Sequence, residues 1–307
     1  NKKIMCGILG IIGNNIKNNN FDIESSLNKL KNRGPNHQNF WINEKQNLLL
    51  GHTRLSIIDL SDNGNQPMLS FDKHKVIIFN GCLYNFKELA NKFQIKIINS
   101  LTSDTRLLLE LINKIGIKNA LDEIEGMYSF ALYDKIYNNI YLVNDRFGEK
   151  PIYIYFSDKH IFFSSELKAI KLLEPSRNFT IDKLSINEYL YKGYISAPRT
   201  IYSEIYKFKK STLFEIDLDT LDLENNNINI LNNFKKNNSY WEINNNKKNS
   251  KSINSKEFIE NAKNITDKYI EKTIISDVNL GIFFSGGKDS TYILSKLSRI
   301  SEKKIDT

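Results

Sequence analysis

One run near the start of the chain organises the rest of it, and it reads Met5-Cys6-Gly7-Ile8-Leu9-Gly10-Ile11-Ile12-Gly13. Its apolar residues predict a buried β-strand over positions 4–13. A free cysteine is most often a small buried hydrophobe, so Cys6 has a simple interpretation as part of a core. If the chain is cut after Met5, however, Cys6 carries both a thiol and an α-amine with a pKa of roughly 7.7–8.0. Nucleophile and base would then lie on one residue.

Composition excludes several classes of protein. The chain has 307 residues, which favours two domains, and 40% of them are hydrophobic. No apolar run reaches the roughly 18 residues of a transmembrane helix, so we expect no membrane partner. The start of the chain is basic but lacks the cleavage site of a signal peptide. Two cysteines make no disulfide framework, and we therefore expect a cytoplasmic protein.

The formal net charge of +8 raises the question of a nucleic-acid partner. The lysines are scattered among many Asn and Ile residues, and no basic patch with aromatic residues stands out. A general composition bias explains this charge better, so we expect no nucleic acid. The four histidines and two cysteines show no metal-ligand spacing, and no metal-binding residues are predicted.

The first 175 residues combine strands and helices in separate runs, which favours a layered α+β domain over a βαβ array. Strands are predicted around 39–42, 48–53, 55–58, 76–79, 127–134, 139–144, 152–156 and 161–164, and helices over 21–31, 83–93, 103–115 and 167–173. Residues 224–256 are rich in Asn and Lys, a composition that buries little and predicts a surface linker.

Regular periodicity resumes at Ser255. A helix is predicted to about Ile275, then a buried strand over 279–284, the loop Ser285-Gly286-Gly287-Lys288-Asp289-Ser290 and a further helix. Small residues before a helix N-terminus let backbone N–H groups approach an anion. The loop is not Walker A, but it matches the Ser-Gly-Gly-x-Asp-Ser signature of ATP pyrophosphatases. One such unit cannot cover a sheet on both faces, so we expect a piece of a longer protein.

Seven motifs precede this loop in a fixed order. They are Cys6-Gly7-Ile8, Arg33-Gly34-Pro35, His52-Thr53-Arg54-Leu55-Ser56-Ile57-Ile58-Asp59, Asn80-Gly81-Cys82-Leu83-Tyr84-Asn85, Ser103-Asp104-Thr105, Gly126-Met127-Tyr128-Ser129-Phe130-Ala131 and Asp145-Arg146-Phe147-Gly148-Glu149-Lys150-Pro151. Together they closely resemble the glutamine amidotransferase domain of glutamine-hydrolysing asparagine synthetases. With the later loop, the resemblance covers residues 5–307.

The resemblance implies an α+β fold, an N-terminal-nucleophile αββα sandwich, followed by the first β-loop-α unit of a truncated α/β ATP-pyrophosphatase domain. The implied domains are the amidotransferase domain at 6–215, an Asn/Lys-rich connecting segment at 216–254 and the start of the synthetase domain at 255–307. The implied enzyme is a carbon–nitrogen ligase that uses glutamine as amido donor.

Site residues follow from the resemblance position by position. Cys6 would attack the side-chain amide of glutamine, with its own α-amine as general base and then acid. The side-chain amide of Asn80 and the backbone N–H of Gly81 would form the oxyanion hole. The remaining contacts to glutamine are assigned to Arg54, Ile57, Ile58, Cys82 and Asp104.

The resemblance also assigns an ATP site, which comprises Phe284, Ser285, Gly286, Gly287, Asp289 and Ser290. ATP and Mg²⁺ would activate the β-carboxylate of aspartate as an acyl-adenylate, which ammonia from the first site then converts to asparagine. Glutamine, aspartate and ATP are thus the implied small-molecule partners, and a homodimer is one implied form of assembly.

Two departures from the family pattern bear on function. The family usually has Asn-Gly-Glu where this chain has Asn80-Gly81-Cys82, and a neutral thiol cannot replace the carboxylate. The residues that precede Cys6, if retained, acylate the proposed base. Three alternatives stay open: an amidotransferase of the same plan with another acceptor, such as a sugar carboxylate; a non-catalytic relative; and a tRNA-modifying ATP pyrophosphatase, against which the first half of the chain argues.

Overall fold

The computed structural model describes residues 5–95, 103–236, 239–243, 254–300 and 305–307. They divide into two compact units. The first lies within Asn1–Ser56 and Ser61–Glu242, and the second within Ile57–Leu60 and Ile243–Thr307. The predicted connecting segment at 216–254 is therefore shared between them, and the first unit extends to Glu242.

Eleven strands are formed by the described residues, all of them in the first unit. They are β1 (Gly7–Ile12), β2 (His37–Ile42), β3 (Leu48–Arg54), β4 (Met68–Leu69), β5 (Lys75–Leu83), β6 (Gly126–Asp134), β7 (Asn139–Asn144), β8 (Tyr153–Phe156), β9 (Ile161–Ser164), β10 (Ile205–Lys207) and β11 (Leu213–Asp217). One sheet has the order β10-β8-β9-β1-β3-β2 and the other β11-β7-β6-β5-β4. Every pairing within them is antiparallel.

Nine α-helices complete the described part of the chain. They are α1 (Ile23–Leu30), α2 (Phe86–Lys92), α3 (Asp104–Ile115), α4 (Ile117–Glu123), α5 (Leu167–Leu173), α6 (Lys183–Lys192), α7 (Leu223–Lys235), α8 (Ser255–Thr273) and α9 (Lys288–Ile300). None of these helices is both long and apolar enough to span a bilayer.

Two apolar layers hold the first unit together. Alternate residues of β1 point to opposite faces, so Ile8 and Ile12 pack between the two sheets. Leu9 and Ile11 face the other way, against α1 and α5. On the far side of the second sheet, α3 packs on β5 and also contacts α2 and α4. The layers are therefore helix, sheet, sheet and helix, which confirms the predicted α+β sandwich.

The second unit departs from the sequence-based prediction. The strand predicted over 279–284 is wrong: among the described residues only a single parallel bridge joins Gly281 to Asp306. A strand needs a partner along its length, and Asp306 offers one only around this position. The helices predicted on either side are present as α8 and α9, and they contact each other through Asp267, which accepts a hydrogen bond from Tyr292 Oη at 2.8 Å.

Candidate active site

Cys6 lies directly before β1, at the end of the first sheet. Since Gly7 pairs with Thr53 on β3, Cys6 lies level with the end of that strand. Its Sγ accepts a hydrogen bond from Leu55 N at 3.3 Å and lies 3.7 Å from Leu55 O. The carbonyl oxygen of Cys6 accepts a hydrogen bond from Arg33 Nε at 3.0 Å. The backbone of Leu55 therefore positions the thiol, and the Arg33 side chain fixes the backbone of Cys6.

The environment of the thiol keeps it protonated. Burial raises the pKa of Cys6 above its ordinary value, and the negative charge of Asp104 adds to this effect. The Leu55 backbone and the charges of Arg54 and Arg33 lower it, but they do not offset the burial. A thiol of this kind needs a base to become a nucleophile. In the structure, Cys6 N is part of the Met5–Cys6 peptide bond and is not basic.

Arg54 is the last residue of β3 and is almost fully buried. Its Nη1 donates to Ser61 O at 2.6 Å and to Asn65 Oδ1 at 2.9 Å. The guanidinium lies on the backbone of Gly64, where a Cβ would come within 2.0 Å of Nη2. Only glycine leaves room for the guanidinium here, so the short loop from Ser61 to Asn65 fixes the direction of the planar donor fork.

Asn80 and Gly81 lie side by side on β5, in the second sheet. A Cβ at Gly81 would lie 2.3 Å from Met127 O, so the close approach of β6 requires glycine at this position. His52 on β3 links the two sheets, because its Nε2 hydrogen-bonds to Phe79 O at 3.0 Å. Burial lowers the pKa of His52 to about 3, so the ring is neutral and Nε2–H donates. This hydrogen bond holds the backbone next to Asn80 against β3, and His52 itself pairs with Ile8 on the strand that follows Cys6.

The side chain of Asn80 is fully buried and incompletely paired. Its Nδ2 lies 3.4 Å from Ser129 Oγ, and Oδ1 has no partner among the described residues. Rotation of the amide by half a turn would let Oδ1 accept from the Ser129 hydroxyl and leave Nδ2 as a free donor. A buried amide with unused hydrogen-bonding capacity is the property that an oxyanion hole requires.

Asp104 opens α3 and is buried at the same end of the second sheet. Its Oδ2 accepts from Leu83 N at 2.9 Å and its Oδ1 from Thr105 N at 2.8 Å. Burial raises the pKa of Asp104 to about 6, and these hydrogen bonds only partly oppose the rise. At neutral pH the site therefore holds a costly carboxylate that a bound ammonium would stabilise.

Cys82 follows Gly81 on β5 and is half-buried. Burial and the charge of Asp104 raise its pKa to about 12, although Lys150 opposes the rise. The thiol is therefore uncharged at neutral pH. It offers no replacement for the carboxylate that the resemblance implies at this position.

Ile57 and Ile58 belong to the second unit. There, Ile57 O accepts a hydrogen bond from Asp277 N at 2.9 Å, and the neighbouring Asp59 N donates to Asp277 Oδ2 at 2.7 Å. Their assignment to glutamine therefore stays a prediction.

The residues assigned to ATP lie in one loop that leads into α9. Gly286 has a φ of +78°, and Thr291 N donates to Gly287 O at the start of the helix. Ser285 Oγ and Ser290 Oγ are 3.2 Å apart, and no atom lies within 4 Å of a Cβ built at Gly286. Open space, hydroxyl groups and a helix N-terminus suit a polyphosphate. Phe284, just before the loop, is half exposed.

No group of three or more His, Cys, Asp or Glu side chains that could hold a metal ion occurs in the described ranges. A magnesium ion at the loop would therefore depend on phosphate oxygens for much of its coordination.

Three residues that contribute to the site were not predicted as site residues: Arg33, His52 and Lys150. Arg33 contacts Cys6, which is 27 positions away in the sequence. Lys150 contacts Met5, which is 145 positions away. Arg33 lies in the motif Arg33-Gly34-Pro35, which by itself indicates only a turn. A correct prediction of the antiparallel pairing of β1 with β3 would have placed His52 opposite Ile8, close to Cys6.

Residues 5–226 match the family model of the glutamine amidotransferase domain. A relative from Methanocaldococcus jannaschii, provisionally named asparagine synthetase (glutamine-hydrolysing) 2, is 31% identical over 97% of this chain and 58% of its own length. Asparagine synthetase (glutamine-hydrolysing) 2 of Bacillus subtilis is 31% identical over 94% of this chain and 38% of its own length. The chain thus spans little more than half of the first relative and less of the second.

A solved glutamine phosphoribosylpyrophosphate amidotransferase from Bacillus subtilis, complexed with ADP and GMP, is 18% identical to the chain. It aligns with a TM-score of 0.46, over 70% of this chain and 50% of that one.

Proposed function

Because the chain belongs to the glutamine amidotransferase domain family, we propose that it hydrolyses glutamine to glutamate and ammonia with Cys6 as nucleophile. In the whole protein, the ammonia would convert ATP-activated aspartate to asparagine. The names of the relatives support this second step, since both are glutamine-hydrolysing asparagine synthetases.

The observation that carries the proposal is that one cationic and one anionic side chain lie in the region around Cys6. The cationic Arg54 precedes Leu55, whose backbone N–H contacts the thiol of Cys6, and the carboxylate of Asp104 binds Leu83 N on the strand of Asn80 and Gly81. A free amino acid presents a carboxylate and an ammonium at one carbon, so this pair of side chains suits its two ends. Asn80 and Gly81 lie on β5 of the second sheet, where the side-chain amide of glutamine would present its oxygen.

The reaction can be written from these groups in two stages. In a chain that begins at Cys6, the α-amine takes the thiol proton and Sγ attacks the amide carbon. Asn80 and Gly81 donate to the oxyanion, and one such donor is typically worth roughly 2.7–4 kcal/mol in the transition state. The α-ammonium returns its proton to the leaving nitrogen, so ammonia departs and a thioester remains. Water, deprotonated by the amine, then releases glutamate and restores the thiol.

The loop from Ser285 to Ser290, which includes Asp289, would bind ATP through backbone N–H groups and hydroxyls, with Phe284 directly before it. ATP, with Mg²⁺ to neutralise its phosphates, supplies the activation of the aspartate carboxylate. The free thiols of Cys6 and Cys82 support a reducing, cytoplasmic compartment. Assembly as a homodimer stays a prediction of the resemblance, and light scattering on the purified protein tests it.

Ammonia release from glutamine tests the amidase step. The chain that begins at Cys6 should release ammonia, and Cys6→Ala should abolish the release. A matched chain that retains Met5 keeps the thiol but blocks the base, and it should be slower by roughly 10²–10⁴. Activity of the Cys6 chain no higher than that of Cys6→Ala would overturn the proposal and would favour a non-catalytic relative.

A further inference from the structure

Lys150 is a buried cation that the proposed reaction does not use. Only 5% of the residue is exposed, and its Nζ contacts Met5 Sδ at 2.5 Å. A thioether is a weak hydrogen-bond acceptor. Among the described residues, no carboxylate lies within 4.0 Å of this ammonium, so the charge is buried without an ion-pair partner. Such burial is costly, which indicates a role beyond packing.

The loop that carries Lys150 is held firmly. The carboxylate of Asp145 accepts hydrogen bonds from the backbone nitrogens of Phe147, Glu149 and Lys150, each at 3.0 Å, and from Tyr128 N at 3.3 Å. Tyr128 lies on β6 and pairs with Gly81, so the loop is fixed to the strand next to the proposed oxyanion hole. The direction of the Lys150 side chain is therefore set by the scaffold.

The ammonium of Lys150 contacts the side chain of Met5, the residue bonded directly to the nitrogen of Cys6. Met5 and Cys6 share a peptide bond, and the Lys150 ammonium lies against the side chain that removal of Met5 would vacate. In a chain that begins at Cys6, a terminal amine would stand where that peptide bond now lies. Two positive charges would then be close together in a buried site if the amine were protonated.

Other charged groups face the same region from each neighbouring element. They are Arg33 after α1, Arg54 on β3, Cys82 on β5, Asp104 on α3, Asp145 and Glu149 on the loop after β7, and Glu166 before α5. Arg33 is paired with Glu166 at 3.5 Å, and Arg54 with the loop from Ser61 to Asn65. Lys150 is the cation whose ammonium reaches the residue preceding Cys6.

We propose that Lys150 is a positioning residue whose ammonium keeps the α-amine of Cys6 unprotonated and ready to accept the thiol proton. The inference rests on the proposed glutaminase function. A neighbouring like charge disfavours the protonated amine, so the amine stays a base at a lower pH than it would alone. Loss of the Lys150 charge therefore raises the pH at which the amine loses its proton.

The pH profile of kcat/KM for glutamine hydrolysis tests this role in the full chain beginning at Cys6. Lys150→Met removes the charge and keeps an unbranched side chain. Its acidic limb should move to higher pH by about one unit or more, while the rate well above that limb changes little. Lys150→Arg keeps the charge and should keep the limb in place. Lys118→Met removes a charge from the exposed face of α4 and should leave the profile unchanged.

A second measurement does not depend on turnover. Labelling with ¹⁵N-cysteine marks only two nitrogens, the α-amine of Cys6 and the amide of Cys82, and NMR follows the titration of the first. Its midpoint should rise in Lys150→Met and not in Lys150→Arg. If the parent chain is active and Lys150→Met changes neither the midpoint of the amine titration nor the acidic limb of the kcat/KM profile, the role of Lys150 is overturned and the proposed function is not. An inactive parent chain would overturn the proposed function instead.

Discussion

Asp104, which we propose contacts the ammonium group of glutamine, lowers the stability of the fold at neutral pH. Its carboxylate is buried, and its pKa of about 6 lies well above the ordinary value of 3.8. As pH rises between these values, the unfolded chain loses its proton while the folded chain keeps it, so stability falls. The difference of about two units corresponds to about 3 kcal/mol of unfolding free energy that is lost by neutral pH.

We therefore expect Asp104→Asn to change stability and binding in opposite directions. The variant lacks the buried charge, so its stability should not fall as the pH rises. Relative to the parent chain, its unfolding free energy should therefore increase by up to about 3 kcal/mol between pH 4 and pH 7. Denaturant unfolding at a series of pH values measures this. The KM for glutamine should rise, since the variant cannot pair with the ammonium. If the unfolding free energies of Asp104→Asn and the parent chain differ by the same amount at every pH from 4 to 7, the raised pKa of Asp104 is contradicted.

Cys82 is the second residue whose change is informative. If glutamine binds as proposed, a carboxylate at this position would face its ammonium group and would also stand near the charge of Lys150. Cys82→Glu should therefore lower the KM for glutamine by about tenfold, which corresponds to about 1.4 kcal/mol. Cys82→Gln has the same shape without the charge and serves as the control. Equal KM values for the two variants would show that the thiol is a neutral replacement.

Short motifs carry the residues that the sequence predicts for the site, whereas several contacts around those residues were not predictable. The hydrogen bond from Arg33 to Cys6 spans 27 residues, and the one from His52 to Phe79 also spans 27 and joins two sheets. Such contacts depend on how sheets stack, which local patterns of hydrophobicity do not encode.

At the scale of elements, the strands and helices of the first unit were largely predictable from periodicity. The strand predicted over 55–58 is wrong, because β3 ends at Arg54 and the backbone of Leu55 pairs with the Cys6 thiol instead of a neighbouring strand. The Asn- and Lys-rich composition after residue 223 predicted little burial. The structure instead forms α7 there, since a few apolar residues suffice to anchor a helix.

Phe234 is that anchor. Its ring packs against the rings of Phe208 and Phe214 with centroid distances of 5.0 and 5.3 Å, within the core between the sheets. We expect Phe234→Ala to lower the unfolding free energy by about 3–5 kcal/mol, measured by denaturant unfolding. Ile228→Ala on the same helix removes a side chain that is 75% exposed and should cost less than about 0.5 kcal/mol. Similar losses for both would mean that α7 does not close the core.

At the scale of the whole molecule, the two compact units separate the two proposed chemistries. Cys6, Arg54, Asn80 and Asp104 lie in the first unit, and the loop that precedes α9 lies in the second. The family and the order of the motifs were predictable from sequence. The structure of the second unit was less predictable, because the strand predicted there has almost no partner in the described residues.

This separation predicts that damage to the loop spares glutamine hydrolysis. Asp289→Ala should weaken the binding of a fluorescent ATP analogue with Mg²⁺ by about tenfold or more, a loss of about 1.4 kcal/mol. Ammonia release from glutamine should stay within a factor of about two of the parent chain. Glu260→Ala removes an exposed charge from α8 and should change neither quantity. An Asp289→Ala protein that binds the analogue as well as the parent would exclude a role for Asp289.

The loop from Asp145 to Lys150, whose backbone nitrogens donate to the Asp145 carboxylate, also limits where the chain tolerates an added residue. Its carboxylate accepts hydrogen bonds from three backbone nitrogens within five positions, so the spacing from Asp145 to Lys150 is fixed by those contacts. One inserted amino acid would pull Lys150 out of register and remove hydrogen-bond donors from the buried carboxyl group of Asp145. Insertional mutagenesis should therefore find this segment intolerant, unlike the exposed turn at Ile136 and Tyr137 between β6 and β7.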